Sequence, residues 1–414
     1  MPFPIMLGNI RENHRQRIFA FAAMFMFTTA SRLQSHCVSF DCRTLTCTTL
    51  VISSLMNSSA LGYDYSNPLK SRDVGKLDPL LALLIQTAAF QRLKDVRFLG
   101  GIDYVLVPTP NGAPNNTRYN RFQHSIGVAL LATKYAEARE LPENLRLLAA
   151  TAALLHDVGH APLSHSLEPF FERAFGINHH QATADIILGR SGLGNSVWQL
   201  LIDYGLDPEE VVEVISGRHD PFEGFFAGPI NFDTIEGILR SRQYLKPGAN
   251  AFTPEAVLMA AINRTSKADA NVVDRFWSYK DDVYRFLIRS ESGVLADHIC
   301  QHFAEKAIHR LSKADYFSSE RSFFKKVPEV RKLLKSRVAR RAETLPKGES
   351  VPYKLRSFYV HSASDFFSRE DCSRYRQTKF DGVLSIPSLD KKNLDEIEAR
   401  HSGGTNLRQS EKFL

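Results

Sequence analysis

The sequence predicts an all-α protein, and three observations carry that expectation. Apolar residues recur at helical spacing from about Tyr65 onward, helix start signals punctuate the same stretch, and there is neither an internal repeat nor a strand–helix–strand alternation. A length of 414 residues, 43% of them hydrophobic and 23% charged, with 23 Gly and 19 Pro, is a globular composition. It excludes collagen-like, disordered and disulfide-scaffold chains. Three parts are expected: an N-terminal extension over 1–64, a helical core over 65–316, and a basic, mixed C-terminal extension over 317–414.

In the first part, Arg11, Arg15 and Arg17 precede the apolar run Ile18 to Phe27 and the small residues Thr28 to Ser31. That is the outline of a targeting segment, but the run is shorter than the roughly 20 residues a membrane span needs. The long leader, with Glu12 inside it, favours a poorly ordered or artefactual extension ahead of a start at Met24 or Met56. A cytoplasmic protein with no membrane segment is expected, with organelle targeting or secretion through residues 1–31 as the alternative. The five cysteines include Cys37, Cys42 and Cys47 but no CxxC pair, so reduced thiols are expected rather than a zinc site.

In the core, Asp78-Pro79 supplies an N-cap and a first-turn proline for a helix running from Leu80 to Leu99. Gly100-Gly101 ends it, a strand-like Ile102 to Val107 follows, and 108–117 is a Pro/Asn/Gly-rich loop. Helices are predicted over Gln123 to Arg139 and Glu143 to His156. The second contains the nearly unbroken apolar run Leu147 to Leu155, so it is buried on all sides. Asn178, Asp207-Pro208 and Thr253-Pro254 open further helices, and Phe232 to Tyr244 and Asp281 to Leu311 read as amphipathic ones. His219-Asp220 precedes Pro221 and reads as a turn. Tyr353 to Pro387 carries a few strands, and the last 25 residues form a polar tail.

The net charge of +7 is unevenly spread: 301–414 holds 24 basic and 15 acidic residues, and 1–60 holds five Arg and two acids, which leaves an acidic middle. An acidic middle suits bound cations and a basic end suits polyanions. Arg321 to Arg341 holds nine basic residues and one acid. A solvated helical face is the first reading of that segment and nucleic-acid contact the second.

Histidine placement directs the functional reading. Of 14 histidines, six (His124, His156, His160, His165, His179 and His180) fall between 124 and 180. A buried apolar helix ends in His156-Asp157, and burying that pair costs several kcal/mol, roughly, unless a partner compensates. A divalent metal compensates both groups at once, and imidazole plus carboxylate suits Mn, Fe, Zn, Co or Ni better than Ca. An additional Mg is a further candidate. Adjacent residues project about 100° apart on a helix, so the remaining ligands must come from other helices.

His156-Asp157 resembles the signature dyad of the HD-domain metal-dependent phosphohydrolases. Phe90-Gln91-Arg92-Leu93, Leu99-Gly100-Gly101, Arg121-Phe122-x-His124-Ser125-x-Gly127 and His156-Asp157-x-Gly159-His160-x-Pro162-x-Ser164-His165 occur in that order. Together they resemble the deoxynucleoside triphosphate triphosphohydrolase, or dGTPase-like, branch over Asn67 to Tyr316. The resemblance implies an all-α HD-domain core and a metal set of His124, His156, Asp157 and Asp233. It implies catalytic contacts by His160 and His165, a general acid at His179 with His180 as fallback, and phosphate neutralisation by Arg121. Glu168 would hold the tautomer of His165.

Departures from the family fall at sugar-reading positions. Phe98 stands in place of a Gln before Leu99-Gly100-Gly101, and Thr234, Gly237 and Ser241 replace Lys, Tyr and Asp on the Asp233 helix. Arg289 sits near where a second triphosphate-binding Arg is expected. Phe98, Thr234, Arg121 and Arg289 are therefore the expected substrate contacts. The expected function is hydrolysis of a dNTP to deoxynucleoside and triphosphate by a homo-oligomer. The alternatives are an HD phosphohydrolase acting on another nucleotide or a phosphate monoester, and a non-catalytic nucleotide sensor or nucleic-acid binder.

Overall fold

The Asp78 carboxylate accepts a hydrogen bond from the Leu80 amide at 2.7 Å and so starts α1, Pro79–Gln86. The computed structural model describes residues 63–68, 78–105, 118–246, 248, 250–263, 266–336, 350–361 and 374–385. The targeting outline, the early cysteines, the whole loop at 108–117 and the polar tail lie outside these residues.

The single helix predicted to Leu99 is interrupted at Thr87. Its backbone is extended and its hydroxyl accepts from the Phe90 amide, which restarts the chain as α2, Ala88–Gln91, followed by a 3₁₀ turn. Local side-chain competition with the backbone is how Thr ends helices. The predicted strand from Ile102 is also corrected: Gly100–Tyr104 winds as a 3₁₀ turn. Asp103 draws it in by accepting from the Leu99 amide at 2.7 Å and from the Tyr244 hydroxyl at 2.6 Å. Gly100 has φ +61°, and a Cβ there would lie 2.1 Å from the Leu163 carbonyl oxygen, so only glycine fits.

Asn120 and Gln123 form a reciprocal capping box that starts α3, Arg121–Ala138, two residues earlier than predicted. It packs along α4, Glu143–Leu155, whose residues from Leu148 onward are all buried. Shorter helices follow: α5, Glu168–Phe175; α6, His179–Ile187; α7, Ser196–Asp203; and α8, Pro208–Ile215. Asp220 accepts from the Phe222 and Gly224 amides, making a turn of His219-Asp220. Then come α9, Phe232–Leu245; α10, Pro254–Asn263; and α11, Lys267–Val283. The predicted helix over Asp281 to Leu311 is divided. A π turn, Tyr284–Ile288, closes α11, and Ser290 caps a new helix, α12, Glu291–Lys306.

Past residue 316 the chain still builds the same core. In α13, Glu320–Lys326, and α14, Pro328–Leu334, the residues Phe323, Val330 and Leu334 turn inward and Arg321, Lys325, Arg331 and Lys332 outward. An antiparallel hairpin, β1 (Ser350–Val360) with β2 (Tyr375–Ser385), closes the described chain. It lies on α11: Trp277 meets Phe358 and Tyr375, and Asp274 accepts from the Arg374 guanidinium at 2.6 Å. Among the described residues no helix is long and apolar enough to cross a membrane.

Burial pushes the Asp103 carboxyl up to about 6, against the downward pull of its bonds from Tyr244 and Leu99. A raised carboxyl stabilises the fold fully below its unfolded value near pH 4, and that contribution is lost as pH rises through about 6. Asp103→Asn cannot ionise, so it should narrow the stability difference between pH 4 and pH 7, read as urea midpoints at the two pH values.

Candidate active site

Three helices bring four donor side chains together. The His124 Nε2 from α3 lies 3.0 Å from the Asp233 Oδ1 in the first turn of α9 and 3.5 Å from the Asp157 Oδ2. His156, at the end of α4, places its Nε2 3.4 Å from the same Asp157 oxygen and 3.8 Å from Asp233. Ligand bonds near 2.1 Å put neighbouring donor atoms roughly 3.0–3.5 Å apart, the spacing of three of these four pairs, with His156 to Asp233 slightly longer. The opposite ring nitrogens are already committed: His124 Nδ1 to Glu236 at 2.6 Å, and His156 Nδ1 to the Ala153 carbonyl at 2.8 Å. Both Nε2 atoms are buried without a hydrogen-bond partner. Two orphaned imidazole nitrogens aimed at two carboxylates fit a divalent cation. Burial disfavours the charged form of His156, yet Asp157 and Asp233 raise its pKa to about 10. The cluster calls for positive charge.

Glu236 escaped the sequence reading. It is fully buried, held by the Arg240 guanidinium through Nε at 3.0 Å, and Arg240 is anchored in turn on the Tyr65 and Gln123 carbonyls. Gly127 explains the close approach: a Cβ there would lie 2.5 Å from the Glu236 Oε1. The available signal was Asp233-x-x-Glu236 on one helix face, set against a glycine three residues after His124.

A second group of histidines adjoins the first through Asp157, whose Oδ1 lies 3.2 Å from the His160 Nε2. The His160 ring stacks on His179 at 4.5 Å and meets His165 edge-on at 4.7 Å. Glu168 joins His165 (Nδ1 at 2.9 Å) to His179, whose ring nitrogen and backbone amide both reach it. Burial alone would raise the Glu168 carboxyl, but the two imidazoles hold it well below its ordinary range. One nitrogen from each of His160, His165 and His179 falls within 4.8 Å of the others, so this group could also hold a cation. Burial and then Arg121 push His160 well below its usual value, so it stays neutral. His180 is exposed, its ring 3.9 Å from that of His179. The burial cost on Asp157 is outweighed by His156, Arg121 and His160, which keep it ionised.

Arg121 donates through Nη1 to Asp157 at 2.5 Å and through Nε to Ser164 at 3.1 Å, leaving Nη2 without an acceptor among the described residues. Phe98 is a wall of the site: its ring lies 4.7 Å from the His124 ring, with the Arg121 guanidinium 5.0 Å above it. The Thr234 hydroxyl bonds to the Asn231 cap. The Arg289 charge favours the ionised form of Asp297, which burial opposes and which accepts from the Ser166 hydroxyl at 2.6 Å. Lys280 of α11 was also missed. Its ammonium binds the Pro229 carbonyl at 3.2 Å, four residues ahead of Asp233; burial lowers its pKa to about 8, with Asp233 opposing.

Residues 121–268 match the family model of the HD domain. That stretch is the part of the chain similar to HD-domain proteins. The chain is 30% identical over 188 residues to the uncharacterized protein YwfO of Bacillus subtilis, covering 44% of this chain and 40% of that one. It is 31% identical over 184 residues to the deoxynucleoside triphosphate triphosphohydrolase SAMHD1 homolog of Dictyostelium discoideum, covering 39% and 32%. With SAMHD1 of Gallus gallus the identity is 33% over 173 residues, covering 39% and 25%. The match therefore spans 40% or less of these relatives' own length.

A carboxylate behind a ligating imidazole orients the ring and raises its basicity, and its loss typically costs 10–100-fold in metal affinity. Glu236→Gln should weaken Mn²⁺ binding by about that factor, measured calorimetrically, with the helical circular-dichroism signal retained.

Proposed function

We propose that this HD domain is a metal-dependent phosphohydrolase of nucleotides, and that its specific reaction is hydrolysis of a dNTP to deoxynucleoside and triphosphate. The observation that carries the reading is the pair of orphaned, buried Nε2 atoms of His124 and His156, facing Asp157 and Asp233. These four would hold one divalent Mn, Fe, Zn, Co or Ni ion, and an additional Mg would accompany the polyphosphate. When bound, the cation lowers the pKa of water and polarises a phosphoryl oxygen.

The chain's own groups supply the rest. Arg121 and Lys280 place positive charge where a polyphosphate accumulates negative charge. His160, neutral and next to Asp157, takes up a proton from attacking water, and His165 orients that water. His179, fixed through Nδ1 on Glu168, gives a proton to the leaving oxygen from Nε2. The names of the SAMHD1 relatives support the dNTP substrate.

A second reading, an HD phosphohydrolase acting on another nucleotide or a phosphate monoester, has its own observation. A Cβ at Gly237 would lie 3.5 Å from the Phe98 Cζ, so an aromatic ring lies against the helix face where the family places a sugar-stacking Tyr. A non-catalytic sensor would not need the Glu168-linked histidines alongside the four donors.

Purified protein with Mn²⁺ should release inorganic triphosphate from at least one dNTP. Asp157→Ala should lose bound metal and at least about 10³-fold in rate while staying helical. Monophosphate release without triphosphate from any dNTP would favour the second reading. Metal binding without turnover of any nucleotide would favour the sensor.

A further inference from the structure

Leu163 and Ser164, between His160 and His165, both have left-handed backbones, with φ 58° and 45°. Residues with side chains hold that conformation only where their surroundings impose it. The Leu163 carbonyl packs into the space left by Gly100. The Ser164 hydroxyl donates to the Arg97 carbonyl at 2.7 Å and accepts from the Arg121 Nε. The third contact comes from far along the chain. Glu320, 157 residues beyond Leu163 and outside the matched HD domain, accepts from the Leu163 amide at 3.1 Å through Oε1.

The same oxygen accepts from the Arg97 amide at 2.7 Å, and the Tyr104 hydroxyl donates to the other. Arg97 forms a bridge with Asn120, and the Arg121 amide donates to the Val96 carbonyl at 2.9 Å. One buried carboxylate therefore binds both backbone segments flanking Arg121. Three converging donors call for an acceptor-only group with two oxygens. Glu320 is 4% exposed and takes no part in the proposed chemistry.

We propose that Glu320 is a positioning residue: by holding Leu163 and Arg97 on one oxygen it fixes the left-handed turn that sets Arg121 against Asp157 and His165 against His160. The structural part rests on the loop geometry alone, and its kinetic consequence rests on the hydrolase reading.

The test compares two variants of the full chain that separate reach from charge. Glu320→Gln keeps the length and one acceptor oxygen. Glu320→Asp keeps the charge but falls one methylene short. Hydrogen exchange across residues 161–166, bound Mn²⁺ and turnover would be measured for each. In Glu320→Asp, exchange there should rise about ten-fold and kcat should fall by a similar factor. Bound metal and exchange in α12 should stay as in the wild type. Glu320→Gln should stay within about three-fold of wild type on both readouts. Unchanged exchange at 161–166 in Glu320→Asp, or a Glu320→Gln more damaged than Glu320→Asp, would overturn the proposal. If wild type turns over no nucleotide, the hydrolase reading fails, and the exchange comparison still decides the role of Glu320.

Discussion

The arrangement depends on how the two oxygens of one carboxylate are shared. Asp157 turns Oδ2 toward Arg121, His124 and His156 and Oδ1 toward His160. A buried carboxylate is costly unless it is surrounded by compensating charge and donors. Here that requirement draws α3, the end of α4 and the following turn to one point. The apolar stretch Leu148–Leu155 supplies the opposite half of the design, because it gives the carboxylate no water to escape to.

Close approach is achieved by missing atoms. Gly127 lets the Glu236 carboxylate slide under α3 to reach His124, and Gly100 lets the Leu163 carbonyl press against the 3₁₀ turn. Neither glycine touches the four donors. Each removes a side chain where a neighbour must come nearer than any Cβ allows, the Glu236 side chain at Gly127 and the Leu163 backbone at Gly100, so the motifs surrounding His124 and preceding Ile102 are packing requirements of the site.

Much of this was legible in the sequence because it is local. The caps at Asp78, Asn178 and Asp207 mark helix starts through a single side chain and its own backbone, whereas the Asn120 cap went unread and its helix was begun too late. The meeting of His124, His156, Asp157 and Asp233 was legible through the resemblance and through the need of a buried His-Asp pair for a partner. What escaped notice depends on distance along the chain. Glu236 acts on a residue 112 positions away, and Lys280 comes from a helix outside the ordered motifs. Thr87 and Ser290 broke helices whose apolar spacing ran straight through them, because a hydroxyl satisfying a nearby amide leaves no trace in hydrophobic periodicity. The strand expected at Ile102 failed for a related reason: Asp103 bends the turn through its side chain.

The Arg240–Glu236–His124 relay has an electronic consequence. A carboxylate hydrogen-bonded to an imidazole draws the ring toward imidazolate character and makes its far nitrogen a stronger donor. Arg240 withdraws part of that electron density by claiming the same carboxylate from beneath, sealed from water and only four residues along the helix. A cation held by His124 would therefore feel the guanidinium only through the carboxylate that the two side chains share.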